Sequence, residues 1–212
     1  MKQQTDVTMI LDRSGSMEGI KSDVIGGFNQ FLATQKREPG ACVLTLVQFD
    51  NQYDIVYSAC DIQDAPPLTA ESFEPRGTTA LLDAIGRTIM GAGARFDALP
   101  ESERPDRVLV VIITDGQENA SVEHSRERIH EMIATQRDVY RWTFLFLAAN
   151  QDAIAEGGTV GVGPQHSLTW AATSQGVPIV ASRLSSAVAS FRATGDARLD
   201  EPEFKGNRKK VH

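Results

Sequence analysis

The chain has little of what marks the more specialised classes of protein. Its 212 residues include only 2 cysteines, too few for a disulfide-rich miniprotein. No apolar run approaches the roughly 18 residues that a membrane-spanning helix needs, and residues 1–6 lack the apolar core of a signal peptide. We therefore expect a cytoplasmic protein with no membrane partner, in which Cys42 and Cys60 are free thiols.

An excess of positive charge is absent as well. The 21 lysines and arginines are outnumbered by 28 aspartates and glutamates, so the formal net charge is −7 and the isoelectric point is near 5.1. General nucleic-acid-binding domains are normally basic. The basic residues between Lys205 and Lys210 form only a small footprint beside an acidic stretch. The sequence thus predicts no nucleic-acid partner.

What is present is an ordinary globular composition, with 41% apolar and 23% charged residues. The run from Val108 to Ile113 is aliphatic throughout, which is typical of a central parallel strand buried on both faces. Residues 43–49 and 53–57 flank a short polar turn and predict an antiparallel hairpin. The other predicted strands are residues 7–11, 142–148 and 167–171, and the predicted helices are residues 20–32, 80–96, 123–137, 152–156 and 177–191.

This alternation of strands and helices predicts an α/β, doubly wound fold. We expect a mostly parallel central sheet of about six strands, one of them an antiparallel edge strand, with helices on both faces. The domain is assigned to residues 1–193. Residues 194–212 have few apolar side chains and mixed charges, and we expect them to form a flexible charged tail.

Three polar motifs fall at the boundaries of the predicted elements. In open α/β sheets, ligands bind at the carboxyl ends of the strands, where the strand order reverses. The motifs are Asp12-Arg13-Ser14-Gly15-Ser16 after the first strand, Gly77-Thr78-Thr79 at the start of a helix, and Thr114-Asp115-Gly116 after the central strand.

The atoms of these motifs indicate the kind of ligand. Asp12 and Asp115 supply carboxylate oxygens, and Ser14, Ser16 and Thr79 supply hydroxyl oxygens. Donor sets of oxygen alone favour Mg²⁺, Mn²⁺ or Ca²⁺ and argue against zinc and copper. Because two carboxylates neutralise a divalent ion incompletely in such a set, an open coordination position would attract an acidic group from another molecule.

The motifs, in this order and at these boundaries, resemble the metal-ion-dependent adhesion site (MIDAS) of the von Willebrand factor A domain. The resemblance covers roughly residues 5–193. It implies that Asp12, Ser14, Ser16, Thr79 and Asp115 hold the metal, the hydroxyls directly and the aspartates often through water. Thr78 is the less favoured alternative to Thr79.

The resemblance also implies what the protein does. It is similar to stand-alone prokaryotic or phage-type members that bind proteins through the metal. The expected function is a metal-dependent protein-binding module, an intracellular adaptor or assembly factor and not an enzyme, whose metal accepts an Asp or Glu side chain of a protein partner. Arg13, Met17 and Thr78 are expected at the exposed, partner-binding rim.

The alternative from another class is a Mg²⁺-dependent phosphoryl-transfer enzyme that uses Asp12 as acceptor, as in the haloacid dehalogenase group. That chemistry needs a second acid two residues on, where this chain has Ser14, and a lysine to hold the phosphoryl charge. No lysine stands between Lys36 and Lys205, and the sequence has no phosphate-binding Gly-x-x-x-x-Gly-Lys loop. A binding module is therefore favoured.

Several other residues receive structural assignments. Trp142 and Trp170 are expected in the core, and Asn119 or Ser121 as the N-cap of the following helix. The histidines show no paired ligand spacing and are expected at the surface; they are His124, His130, His166 and His212.

Overall fold

A computed structural model describes residues 3–149 and 152–199 of the chain. The strands are β1 (Gln4–Asp12), β2 (Ala41–Phe49), β3 (Tyr53–Asp61), β4 (Arg107–Thr114), β5 (Thr143–Ala149) and β6 (Ser167–Trp170). The α-helices are α1 (Lys21–Gln35), α2 (Leu81–Asp97), α3 (Arg126–Asp138), α4 (Ala153–Thr159) and α5 (Gly176–Thr194). A 3₁₀ turn, Gly15–Ile20, joins β1 to α1.

The strands form a six-stranded sheet in the order β3-β2-β1-β4-β5-β6. β2, β1, β4, β5 and β6 run parallel to one another, and β3 runs antiparallel to β2 at one edge. The predicted fold class is thus confirmed. β1 pairs with β2 up to Asp12 opposite Phe49 and with β4 up to Leu11 opposite Ile113, so these strands end together at one edge.

Each face of the sheet has its own apolar core, because side chains alternate along a strand. Val7, Met9 and Leu11 of β1 pack on the side of α1 and α5. Ile10 packs on the other side, which α2, α3 and α4 cover. Burial of one such side chain contributes about 1.5–3 kcal/mol. Trp142 and Trp170 are buried, as expected.

A buried arginine ties α5 to α1. Arg192 donates from Nη1 to the carbonyl oxygen of Gln35, at 2.6 Å, and from Nη2 to three further carbonyls. Those three belong to residues 38–40, which follow α1. In return, Gln35 Nε2 donates to Ser185 O at 2.9 Å. Carbonyls at the end of α1 and just after it thus receive a charged donor.

The ordered domain extends past the predicted boundary at residue 193. α5 runs to Thr194 and ends at Gly195, whose φ of 85° is left-handed. Ala197 and Leu199 are buried, and Leu199 N donates to Gln165 O at 3.0 Å. The beginning of the predicted tail therefore packs on the domain, whereas residues 200–212 lie outside the described residues, and their part of the prediction stays untested.

Both cysteines are free thiols, Cys42 buried and Cys60 partly so. Within residues 3–149 and 152–199, no helix has the length and hydropathy needed to cross a bilayer.

Candidate metal site

The end of β1 lies beside the end of β4, and hydroxyl and backbone groups fix the Asp12 carboxylate between them. Its Oδ1 accepts from Ser14 N at 2.6 Å. Its Oδ2 accepts from Thr114 Oγ1, also at 2.6 Å. Thr114 in turn accepts from Gly116 N at 3.2 Å. Thr114 was assigned no role from the sequence, although it stands directly before Asp115 in the motif.

The two serines of the first motif connect it to the second aspartate. Ser14 Oγ and Ser16 Oγ are 3.0 Å apart. Ser16 Oγ donates to Asp115 Oδ1 at 2.6 Å. Three of the five predicted ligands therefore form one chain of oxygen contacts between the ends of β1 and β4, and Asp12 is joined to it through the backbone nitrogen of Ser14.

The fifth predicted ligand, Thr79, packs against Gly116, where the lack of a side chain leaves room for the Thr79 hydroxyl. A Cβ placed on Gly116 would lie 2.7 Å from Thr79 Oγ1 and 3.6 Å from Ser14 Oγ. Both hydroxyls therefore face the same small volume beside the Gly116 backbone. Thr79 is buried, whereas Thr78 is exposed, so the structure brings Thr79 to the other donors. This compact set of hard oxygens fits a small divalent cation.

The segment before α2 is held against the first motif by backbone hydrogen bonds. Gly15 N donates to Gly77 O at 3.2 Å, and Arg76 N donates to Arg13 O at 2.8 Å. Gly77 has a left-handed φ of 67°, and a Cβ there would lie 2.3 Å from Asn51 Oδ1. Only glycine meets both demands.

Burial shapes the electrostatics of the site. It raises the pKa of Asp12 to about 6, against the lowering effect of the hydrogen bonds from Thr114 and Ser14. Burial also raises the pKa of Asp115. Among the described residues, no arginine, lysine or histidine forms an ion pair with either carboxylate. A divalent cation would supply the positive charge that no described side chain provides to these two carboxylates.

Two predicted rim residues are buried, so their expected exposure is wrong. Met17 is 0% exposed because the 3₁₀ turn directs it into the core on the α1 side. Arg13 is 8% exposed. Its guanidinium pairs with Asp50 at 3.3 Å and with Asp54. Thr78 is exposed, and its role in partner binding stays a prediction.

Arg13 belongs to an ion-pair network that the sequence did not reveal. Its centre is Asp50, a fully buried carboxylate that follows β2, the strand next to β1. Asp50 Oδ2 also accepts from Arg76 Nε at 2.9 Å, and Asp50 O accepts from Ala80 N at 2.9 Å. The network therefore joins the first motif to the segment that carries Thr79.

The helix α3 begins later than predicted. Its N-cap is Ser125, whose side chain accepts from Arg128 N at 3.2 Å. Asn119 and Ser121, the predicted candidates, are wrong as caps of α3 because their side chains bind the start of α2.

The histidines only partly follow the prediction that they lie at the surface. His130 is exposed and His166 half-buried. The His124 side chain is only 11% exposed, because it packs over Gly86 of α2. His212 lies outside the described residues.

The sequence matches no protein-family model and no curated protein. The structure matches that of proximal thread matrix protein 1 from the mussel byssus with a zinc-occupied MIDAS motif; identity is 14%, TM-score 0.61, and the match covers 89% of this chain and 46% of that one. It also matches a von Willebrand factor type A structure from Catenulispora acidiphila, at 14% identity and TM-score 0.56 over 89% and 43% of the two chains. A third is the pilus adhesin SpaC from Lactobacillus rhamnosus GG, at 12% identity and TM-score 0.67 over 89% and 31%. The chain therefore spans less than half the length of these proteins, and at such identities the likeness concerns the fold.

Proposed function

Because the chain has the von Willebrand factor A fold, expected from its motifs and borne out by these neighbours, we propose that it is a metal-dependent protein-binding module. Asp12, Ser14, Ser16, Thr79 and Asp115 hold a divalent cation, and an Asp or Glu side chain of a protein partner completes its coordination. The observation that carries this proposal is the chain of oxygen contacts from Ser14 through Ser16 to Asp115, with Thr79 facing the same volume.

Magnesium is the cation that we expect, with Mn²⁺ and Ca²⁺ as alternatives. All five donors are oxygens, which hard cations prefer. The ion would supply positive charge and an open coordination position. The protein's part is to keep Asp12 and Asp115 in place, through Thr114, Ser14 and Ser16, so that little reorganisation accompanies metal binding. The zinc-occupied MIDAS of the mussel protein supports a divalent cation at such a site.

The exposure of the donors indicates the side from which a partner would approach. Asp12, Ser14 and Thr79 are buried, whereas Ser16 is exposed and Asp115 partly so. The buried donors would therefore cover the cation on the side of the protein interior, and its open coordination position would lie on the exposed side, near Ser16. An acidic side chain suits this opening because its carboxylate supplies the kind of oxygen ligand that a hard divalent cation prefers. Such a module would act as an adaptor or assembly factor in the cytoplasm.

The metal step is tested by calorimetric titration of the protein with Mg²⁺ and Mn²⁺. We expect one site in the wild type, loss of that site in D12N and D115N, and weaker but still measurable binding in T79A. The asparagine substitutions keep side-chain size and remove only charge. Asp97→Asn, an exposed carboxylate at the far end of α2, is the matched control and should bind as the wild type does. A wild type that binds neither ion at millimolar concentration would refute the proposal.

The partner step is tested by affinity capture from a lysate of the source organism, with Mg²⁺ or with EDTA. A partner of this site should be retained with Mg²⁺, be lost with EDTA and be lost with T79A. Replacing one Asp or Glu of that partner should also abolish retention. Capture that is equally strong in EDTA would show that binding does not use the metal.

The enzyme alternative is weakened by the surroundings of Asp12. Asp12 is 0% exposed, and Ser14 and Thr114 hold its two oxygens by hydrogen bonds, so a phosphate ester has far less access to it than a small cation has. A generic aryl phosphate with Mg²⁺ tests this directly. Turnover that D12N abolishes would favour the enzyme over the binding module.

A further inference from the structure

The helix that follows Thr79 begins without a capping side chain of its own. Its N-cap position is Ala80, which offers no acceptor, although the first backbone N–H groups of a helix need partners. Those partners come from the loop after Asp115, and each contact joins a backbone donor near the start of α2 to a side-chain acceptor. The pairs are Thr79 N to Asn119 Oδ1 (3.0 Å), Leu82 N to Glu118 Oε2 (3.0 Å) and Asp83 N to Ser121 Oγ (3.1 Å).

Glu118 is the centre of this arrangement. Its Oε2 accepts from Leu82 N and, at 2.8 Å, from Ser121 Oγ. Its Oε1 accepts from Ala120 N at 3.0 Å and from Ser121 N at 2.8 Å. One carboxylate therefore both shapes the loop that carries Asp115 and caps the helix that carries Thr79. Its negative charge at the start of the helix is favourable for the helix dipole.

Asp83, in the first turn of α2, makes the reciprocal contacts. Its carboxylate accepts from the backbone N–H groups of Val122, Glu123 and His124 at 2.8–3.0 Å. Burial acts to raise its pKa, but these donors prevail and the pKa lies below its usual value. Residues 118–124 and the first turn of α2 thus form a two-way set of caps, here called the clamp.

The clamp also accounts for a group of potential ligands beside it. Donor atoms of Asp83, Glu123 and His124 lie within 4.8 Å of one another. The Asp83 oxygens, however, already accept three backbone N–H groups. Glu123 is held by Arg87, at 2.5 and 3.0 Å. These side chains therefore connect the loop of residues 118–124 to α2.

We propose that Glu118 and Asn119 are positioning residues for the metal site. The clamp fixes the loop of Asp115 to the helix of Thr79, and so sets the relation between two ligands that come from different parts of the chain. This inference rests on the proposed function. Groups that orient metal ligands without touching the metal typically change metal affinity by about 10–100-fold when removed.

Calorimetric titration with Mn²⁺, well below the melting temperature of every variant, tests the clamp. E118A and N119A should each weaken Mn²⁺ binding by about tenfold or more. E118Q should recover part of the affinity, because its amide oxygen can still cap α2. The matched control is Asp152→Ala, which removes a carboxylate that caps α4 through Ile154 N and Ala155 N. It should lower stability and leave Mn²⁺ affinity unchanged.

A mutant cycle separates positioning from general loosening of the fold. If the clamp acts through the placement of Thr79, the loss of Mn²⁺ affinity caused by E118A should be smaller in a T79A background than in the wild type. On a logarithmic scale, this loss should be less than half as large. Unchanged affinity in both E118A and N119A, or an E118A effect that stays full in T79A, would overturn the clamp while the wild type still binds Mn²⁺. No binding by the wild type would instead overturn the proposed function, and the clamp with it.

Discussion

Gly116→Ala tests how closely residue 116 packs against Thr79 in the proposed metal site. The Cβ that it adds would lie 2.7 Å from Thr79 Oγ1, whereas ordinary contact begins near 3.4 Å. The Thr79 hydroxyl and the backbone of residue 116 must therefore separate by about 0.7 Å, which is a third of an Mg–O bond of about 2.1 Å. Gly116 has no left-handed φ, so the strain falls on the site and not on the backbone.

Overpacking of this kind costs about 1–3 kcal/mol. If that cost falls on the metal-bound arrangement of Thr79, the affinity for Mg²⁺ or Mn²⁺ should drop by about 5–150-fold, since 1.4 kcal/mol is tenfold. The melting temperature without metal should change little, because Thr79 can turn away when no ion is bound. Titration calorimetry measures the first quantity and a thermal melt the second.

The matched control is Gly91→Ala, on the exposed side of α2, where a Cβ would meet nothing within 4 Å. It should leave metal affinity unchanged and raise stability by about 0.5–1 kcal/mol, since alanine favours a helix. An affinity for G116A within twofold of the wild type, with T79A still deficient, would show that Thr79 binds the metal from a position different from the one in this structure.

Three further predictions concern the scaffold. Arg192→Met keeps the apolar bulk but removes the charged donor from the carbonyls of residues 35 and 38–40; it should cost about 1.5–3 kcal/mol in urea unfolding, and a loss under 1 kcal/mol would contradict the role of this contact. A chain that ends at Ala193 should melt about 4–8 °C below one that ends at Leu199, because Ala197 and Leu199 lose their burial; equal melting temperatures would return the boundary to residue 193. Burial lowers the pKa of His166 below 6.5, so the folded state binds its proton less readily than the unfolded state, and stability should fall as the pH drops through 6.5. H166Q should therefore lose less stability between pH 7.5 and 5.5 than the wild type, and an identical loss would assign that pH dependence to other groups.

Local sequence patterns predict the sheet and the edge at which the polar motifs meet. The aliphatic run of β4 predicts a strand covered on both faces, because only such a strand lacks polar alternation. The hairpin before residue 60 predicts the antiparallel edge. Polar motifs directly after β1 and β4 predict a shared edge, because the carboxyl ends of parallel neighbours meet. These inferences hold because they depend on local chemistry and on strand direction.

The tertiary structure was needed to show which of these side chains come together and which are buried. Thr78 and Thr79 have the same chemistry; the resemblance to the family favours Thr79, and the packing of Gly116 against it brings this threonine to the other donors. Arg13 lies in a polar motif and Met17 directly follows that motif, which predicts that both are exposed. Asp50 instead binds Arg13, and the core on the α1 side encloses Met17. Glu118 caps a helix that begins 37 positions earlier in the sequence, at Leu81. Contacts of this kind are set by the path of distant segments through space, and no local pattern of residues encodes them.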